Sequence, residues 1–253
     1  MIPNILTLLA LCAGLTAIRF GLQENWQPAI IALVAAAIFD GLDGRVARIL
    51  KGTSKFGAEL DSLSDFISFG VAPTILLYLW TMQGWGRFGW LLVLIFSVCC
   101  ALRLARFNTA LDEPEKRPPF AINFFTGVPA PAAAGLVVVP MVLSFQFGDA
   151  FFRHPAFVTF FLITVSALMV SRLPTLAMKK FKVENRWVLP LMLFIGLYAA
   201  SLVSAPWATL SATAILYVLS IPYSIRLHRK LEREFSQTHG PSIVSDNDQT
   251  AAE

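Results

Sequence analysis

The chain has 253 residues, of which 56% are apolar and only 14% are charged, and its formal net charge is +4. Soluble domains contain about 45–50% apolar and about 25% charged residues. The composition therefore excludes a soluble enzyme, a disordered protein and a disulfide scaffold, and it indicates a polytopic membrane protein. The three cysteines, Cys12, Cys99 and Cys100, lie in apolar runs without metal-ligand spacing, and we interpret them as buried apolar residues.

About eight segments are predicted to be transmembrane helices, because a helix needs about 20 mostly apolar residues to cross the hydrocarbon core. They cover residues 5–22, 26–43, 60–80, 88–108, 127–147, 156–176, 187–204 and 205–225. No Lys or Arg precedes the first segment, which is therefore predicted to be a retained span and not a signal peptide. We predict one transmembrane domain over residues 1–235 and a disordered polar tail over residues 236–253.

The basic residues alternate with the predicted spans. Of the 20 Lys and Arg residues, 17 lie at the end of spans two, four, six and eight or in the segments after them, and the exceptions are Arg19, Arg87 and Arg153. Because basic loops stay in the cytoplasm, this pattern predicts a multi-pass protein of the cell (inner) membrane with both termini cytoplasmic. The net positive charge then reflects topology and contact with anionic headgroups, and no nucleic-acid partner is expected.

Four aspartates lie where the second and third predicted spans meet. Asp40 and Asp43 are spaced i, i+3 and Asp61 and Asp65 are spaced i, i+4, so each pair shares one helix face. A short basic loop joins the two helices, so the two faces can point at each other and the four carboxylates are predicted to converge. An Asp at the centre of a membrane costs about 2.5–3.5 kcal/mol, so four of them near its surface need compensation. Hard oxygen ligands without His or Cys favour Mg²⁺ or Mn²⁺, and two such ions would neutralise four carboxylates.

Small and basic residues accompany these acids. Gly41, Gly44 and Gly57 allow the close approach of a ligand or a neighbouring backbone, and Arg48 and Lys51 are suited to phosphate oxygens. These residue types favour a metal-assisted phosphoryl-type transfer at the cytoplasmic membrane surface. A divalent-cation transporter remains the alternative from a different class, although the sequence has no inverted repeat of the kind that many transporters contain.

The segment DGLDGRVAR, followed after eight residues by GxxxDxxxD, resembles the signature of the CDP-alcohol phosphatidyltransferase family. All eight signature positions match: Asp40, Asp43, Gly44, Ala47, Arg48, Gly57, Asp61 and Asp65. The resemblance implies an all-α integral membrane protein with a six-helix catalytic core. The two remaining predicted spans would be additional C-terminal helices.

The resemblance also implies a reaction, in which a phosphatidyl group passes from a CDP-linked lipid to an alcohol and CMP is released. It implies that Asp40, Asp43, Asp61 and Asp65 hold two divalent cations, Mg²⁺ or Mn²⁺, and that Asp65 is also the general base. The CDP site would be lined by Asn4, Thr7, Gly44, Ala47, Arg48 and Gly57. Asn4 and Thr7 could instead cap the first helix or form hydrogen bonds between helices. A homodimer is expected from family precedent.

Three further stretches, at residues 56–73, 101–108 and 125–133, resemble the branch of the family that uses L-serine as acceptor with CDP-diacylglycerol as donor. Arg103 and Arg106 are suited to the serine carboxylate, which Arg can bind through two hydrogen bonds, and Asn108 could add a polar contact. The arginines could instead anchor the fourth span at the cytoplasmic surface. Glycerol phosphate and inositol phosphate acceptors also need cations, so Arg alone does not identify the acceptor.

Overall fold

The computed structural model describes residues 2–49, 54–112, 124–176 and 185–239, and these are almost entirely helical. The elements in chain order are α1 (Ile2–Leu22), α2 (Trp26–Ile49), α3 (Lys55–Asp65), α4 (Ala72–Leu77), α5 (Arg87–Asp112), β1 (Phe124–Thr126), α6 (Ala130–Val137), α7 (Val139–Phe147), α8 (Asp149–Phe152), α9 (Pro155–Val170), β2 (Pro174–Leu176), α10 (Asn185–Ser204) and α11 (Pro206–His239). The π-helical segment Phe66–Val71 joins α3 to α4. A second π-helical segment, Tyr78–Met82, continues this helical run after α4, and the run ends in the 3₁₀ turn Gln83–Trp85.

The predicted all-α membrane fold is confirmed, and each predicted span overlaps a helical run. Two boundaries are wrong: the fifth span begins three residues before α6, and the sixth extends six residues past α9, because residues 174–176 pair with β1 as a strand. Within the described ranges, five runs are long and apolar enough to cross a membrane: Pro3–Leu22, Lys55–Trp85, Arg87–Thr109, Ala130–Phe147 and Pro206–Leu231. Pro155–Val170 and Val188–Ser204 are apolar but shorter. The helix α2, which carries Asp40 and Asp43, is not among these seven. A departure from a purely helical fold is the antiparallel pairing of β1 with β2, which places Phe125 opposite Thr175.

Contacts divide the chain into two compact units, the first formed by Met1–Arg106 and Pro129–Val170. In this unit α1 packs along α2 and the α3–α4 run, with small buried residues such as Ala10 and Ala17 at the contact. The side chains of the α3–α4 run donate hydrogen bonds across this interface, and Ser68 Oγ contacts the Ala10 carbonyl at 3.2 Å. A Cβ on Gly14 would lie 2.6 Å from Ser68 Oγ, so only glycine permits this approach. Small residues and hydroxyls are typical of helix contacts within a membrane.

The cysteine interpretation is correct for Cys100, which is buried in the first unit. Cys99 is half-buried and Cys12 is exposed on α1, so the prediction that all three are buried is wrong. An apolar residue such as Cys12 can lie on the outer face of a membrane helix, because lipid provides apolar surroundings there.

The second unit consists of Phe107–Val128 and Ser171–Glu253. In it α10 packs on α11, and Ser224 Oγ of α11 donates to the Pro174 carbonyl of β2 at 2.8 Å. Pro206 begins α11 immediately after α10, as expected for a residue that has no N–H to lose at a helix start. The helix α11 continues to His239, four residues into the segment predicted as a tail, and residues 240–253 lie outside the described ranges.

Candidate active site

Two helices of the first unit carry the four acids of the signature. Asp40 and Asp43 lie near the end of α2, and Asp61 and Asp65 lie on α3. Ser54 caps the start of α3, since its Oγ accepts a hydrogen bond from the Gly57 N–H at 3.0 Å. A serine at this position satisfies a backbone donor that the helix itself leaves unpaired, and it thereby fixes where α3 begins.

Three of the four acids converge. Asp40, Asp61 and Asp65 each offer one carboxylate oxygen, and these oxygens lie within 4.8 Å of one another. The three residues are half-buried, and the side chains of Asp40 and Asp65 are within hydrogen-bonding reach of each other. Carboxylates at this separation repel unless a proton or a cation lies between them. An all-oxygen donor set fits Mg²⁺ or Mn²⁺ better than zinc or copper.

The fourth acid has a different environment. Asp43 is only 4% exposed, and its Oδ2 accepts a hydrogen bond from Thr7 Oγ1 at 2.7 Å. The sequence indicated interhelical bonding as an alternative role of Thr7, but it did not identify Asp43 as the partner. The only signal for this contact was a polar residue in the apolar helix α1, one turn after Asn4.

Gly57 lies against the start of α1. A Cβ at Gly57 would lie 3.1 Å from Asn4 Oδ1 and 3.2 Å from Ser54 Oγ, so glycine at this position allows the Asn4 side chain to approach α3. This agrees with the prediction that Gly57 permits a close helix approach. It also places Asn4 beside the helix that carries Asp61 and Asp65.

The remaining predicted CDP-site residues follow Asp43 on α2. Among the described residues, no heavy atom lies within 4 Å of a Cβ built on Gly44 or on Gly41, so this side of α2 borders open space. Ala47 is half-buried, and Arg48 is exposed with its Nε donating to the Gly44 carbonyl at 2.9 Å. Lys51 lies outside the described ranges.

The predicted acceptor residues separate in the structure. Arg103 is buried in the first unit, with 9% of its surface exposed, and its charge attracts the Asp65 carboxylate. Arg106 is exposed, and its Nη1 donates to the carbonyl of Val170 at 3.0 Å. Asn108 lies on the same helix α5, is half-buried and belongs to the second unit. The structure thus brings Arg103 toward the acidic cluster and gives Arg106 a contact with the end of α9.

These features define a multi-pass helical membrane protein with a carboxylate cluster suited to divalent cations. Comparison with known families gives a match to the model described as CDP-alcohol phosphatidyltransferase over residues 1–165. A second model, CDP-alcohol phosphatidyltransferase 2, matches residues 186–222. The chain belongs to the CDP-alcohol phosphatidyltransferase family, whose members generally depend on divalent metal ions.

Curated relatives align over most of the chain. The CDP-diacylglycerol–serine O-phosphatidyltransferase of Mycobacterium tuberculosis (strain H37Rv) is 40% identical over 231 residues, covering 91% of this chain and 80% of the relative. The protein of the same name from Mycobacterium leprae is 39% identical over 246 residues, which cover 94% and 81% of the two chains. That of Helicobacter pylori (strain 26695) is 34% identical over 219 residues, which cover 87% and 88%.

Proposed function

We propose that the protein transfers the phosphatidyl group of CDP-diacylglycerol to the hydroxyl of L-serine and releases phosphatidylserine and CMP. The observation that carries this proposal is the extent of the similarity. Relatives named for this reaction are 34–40% identical to the chain over 87–94% of its length. The acidic cluster supports it, because transfer from a diphosphate needs positive charge beside developing negative charge.

Asp40, Asp43, Asp61 and Asp65 are the residues that hold two divalent cations, Mg²⁺ or Mn²⁺, in this proposal. The convergence of three carboxylate oxygens within 4.8 Å and the nearby buried Asp43 support the assignment. When bound, the cations neutralise the diphosphate and stabilise the negative charge that develops on the departing CMP.

Asp65 is the general base. The serine hydroxyl oxygen bonds to the phosphorus that carries diacylglycerol, the bond from this phosphorus to the CMP oxygen breaks, and the hydroxyl proton passes to the Asp65 carboxylate. Its location supports this role, since Asp65 lies in the cluster and close enough to the buried Arg103 for their charges to interact. Gly44, Ala47, Arg48 and Gly57 line the CDP site, on the strength of the family signature and the open space beside Gly44. Asn4, whose side chain lies beside Gly57, also belongs to this site in the proposal.

Arg103 binds the carboxylate of the acceptor serine. A guanidinium matches a carboxylate through two parallel hydrogen bonds, and the buried setting strengthens such a contact. Arg106 is engaged with Val170 and serves mainly to hold α9, so its predicted role in serine binding is secondary. Asn108 remains a candidate polar contact for serine.

The reaction takes place at the cytoplasmic surface of the cell (inner) membrane, with both termini on that side, and the protein acts as a homodimer. The distribution of Lys and Arg supports the orientation, since 17 of 20 lie at the ends of the even-numbered spans or after them. Family precedent supports the dimer.

An acceptor panel tests the function. Purified protein is supplied with CDP-diacylglycerol, Mg²⁺ or Mn²⁺, and one acceptor at a time, and CMP release is measured. We expect release with L-serine and none with L-alanine, which keeps the amino-acid groups but lacks the hydroxyl. Release with glycerol 3-phosphate or inositol phosphate but not with serine would contradict the acceptor. Divalent-ion flux into liposomes without any CMP release would contradict the enzyme and favour a transporter.

A further inference from the structure

A hydroxyl on α1 contacts one of the acids on α2. Thr7 is 4% exposed, and its Oγ1 lies 2.7 Å from Asp43 Oδ2 and 3.1 Å from the Pro3 carbonyl oxygen. A hydroxyl has one proton to donate, and a bond to a carboxylate is shorter and stronger than one to a neutral carbonyl. The Thr7 hydroxyl therefore donates to Asp43, and its ordinary bond within the helix is the weaker alternative.

The same residue is also connected to the other acidic helix. The backbone carbonyl of Thr7 accepts a hydrogen bond from Ser64 Oγ at 3.1 Å, and Ser64 directly precedes Asp65 on α3. Thr7 thus contacts α2 through its side chain and α3 through its main chain. The two helices that carry the acids are held to the same point of α1.

We propose that Thr7 is a positioning residue that orients the Asp43 carboxylate for divalent-cation binding. The inference rests on the proposed metal site but assigns Thr7 a role other than the nucleotide contact that the family resemblance implies. Asp43 accepts a hydrogen bond from Thr7, and this bond restricts the rotation of its carboxylate. Loss of a residue that hydrogen-bonds to a metal ligand typically weakens metal affinity by about 10–100-fold.

The test measures Mn²⁺ binding to the full-length protein by electron paramagnetic resonance. CDP-diacylglycerol and other nucleotides are left out of the sample. Thr7→Val removes the hydroxyl and keeps the shape, whereas Thr7→Ser keeps the hydroxyl. Thr74→Val is the matched control. Thr74 is also buried, but its Oγ1 lies 2.9 Å from the Gly70 and Val71 carbonyls and contacts no acid among the residues that the structure describes. We expect Thr7→Val to weaken Mn²⁺ binding about tenfold or more, and the other two variants to bind like the parent.

Parental Mn²⁺ affinity in Thr7→Val would overturn the proposal. If the KM for CDP-diacylglycerol rose in that same variant at saturating Mn²⁺, Thr7 would be a nucleotide contact instead. Should Thr7→Val fail to fold, Thr7→Cys replaces it, with a similar volume and a weaker donor, and intermediate affinity is expected. A parent protein that binds Mn²⁺ but releases no CMP would contradict the proposed function and leave the role of Thr7 standing.

Discussion

Arg106 Nη1 donates a hydrogen bond to the carbonyl oxygen of Val170, the last residue of α9, at 3.0 Å. A cation at the C-terminal end of a helix is stabilised by the helix dipole and pairs with a carbonyl that the helix leaves unbonded. Arg103, three residues earlier on α5, is instead buried and attracts the Asp65 carboxylate. The sequence predicts the same role for these two arginines, but their surroundings in the structure differ.

Because of this difference, we expect Arg103→Lys and Arg106→Lys to have different effects on the KM for L-serine. Arg103→Lys keeps the charge but loses the planar pair of donors, so we expect the KM for L-serine to rise about tenfold or more. Arg106→Lys is expected to leave the KM for serine close to that of the parent. CMP release measured against serine concentration gives both values. A larger rise in KM for Arg106→Lys than for Arg103→Lys would place the serine carboxylate at Arg106.

The assignment of Asp65 as the general base predicts a large loss of turnover. Asp65→Asn keeps the shape of the side chain but cannot accept the serine proton, and loss of a general base typically costs about 10²–10⁴ in rate. Glu59→Gln is the control, because Glu59 is an exposed acid on the same helix and outside the cluster of three. Near-normal turnover of Asp65→Asn, measured as CMP release, would show that another group takes the proton.

The acidic cluster predicts that divalent ions stabilise the fold without any substrate. Mg²⁺ or Mn²⁺ added to chelator-treated protein should raise the unfolding temperature, because an ion that binds only the native state shifts the equilibrium toward it. Asp40→Asn should lose most of this shift. Asp149→Asn should keep it, because Asp149 is paired with Arg153 at 3.1 Å and lies outside the cluster. An equal shift in both variants would place the ion elsewhere.

The spans and the acidic pairs could be predicted because they depend on local patterns. Apolar length predicts a membrane helix, and spacings of three and four place Asp40 with Asp43 and Asp61 with Asp65 on shared faces. Joining those faces through a short loop predicts that all four carboxylates converge, and the structure groups the oxygens of Asp40, Asp61 and Asp65.

Contacts between residues distant in sequence could not be predicted in this way. Thr7 and Asp43 are 36 residues apart, and Arg106 and Val170 are 64 residues apart, so each pair depends on how helices pack. The π-helical segment that directly follows Asp65 was also missed, since composition does not distinguish it from regular helix. Such segments are frequent at functional sites, and this one begins beside the proposed base.

The open space beside α2 predicts that stability and activity can be changed independently at Gly44. Gly44→Ala adds a methyl group that meets no described heavy atom within 4 Å, and alanine in a helix is favoured over glycine by about 1 kcal/mol. The variant should therefore unfold at the same temperature as the parent or at a higher one. Because the proposed CDP site occupies this space, the KM for CDP-diacylglycerol should rise.

Gly41→Ala is the matched control for this substitution. Gly41 lies on the same helix and also borders open space, but it is not one of the eight signature positions. We expect the same effect on unfolding temperature and no rise in the KM for CDP-diacylglycerol. If Gly44→Ala kept the parental KM, the methyl group would not encounter the substrate, and the CDP site would have to lie away from this side of α2. A fall in unfolding temperature for Gly44→Ala alone would instead mean that the residue is needed for folding.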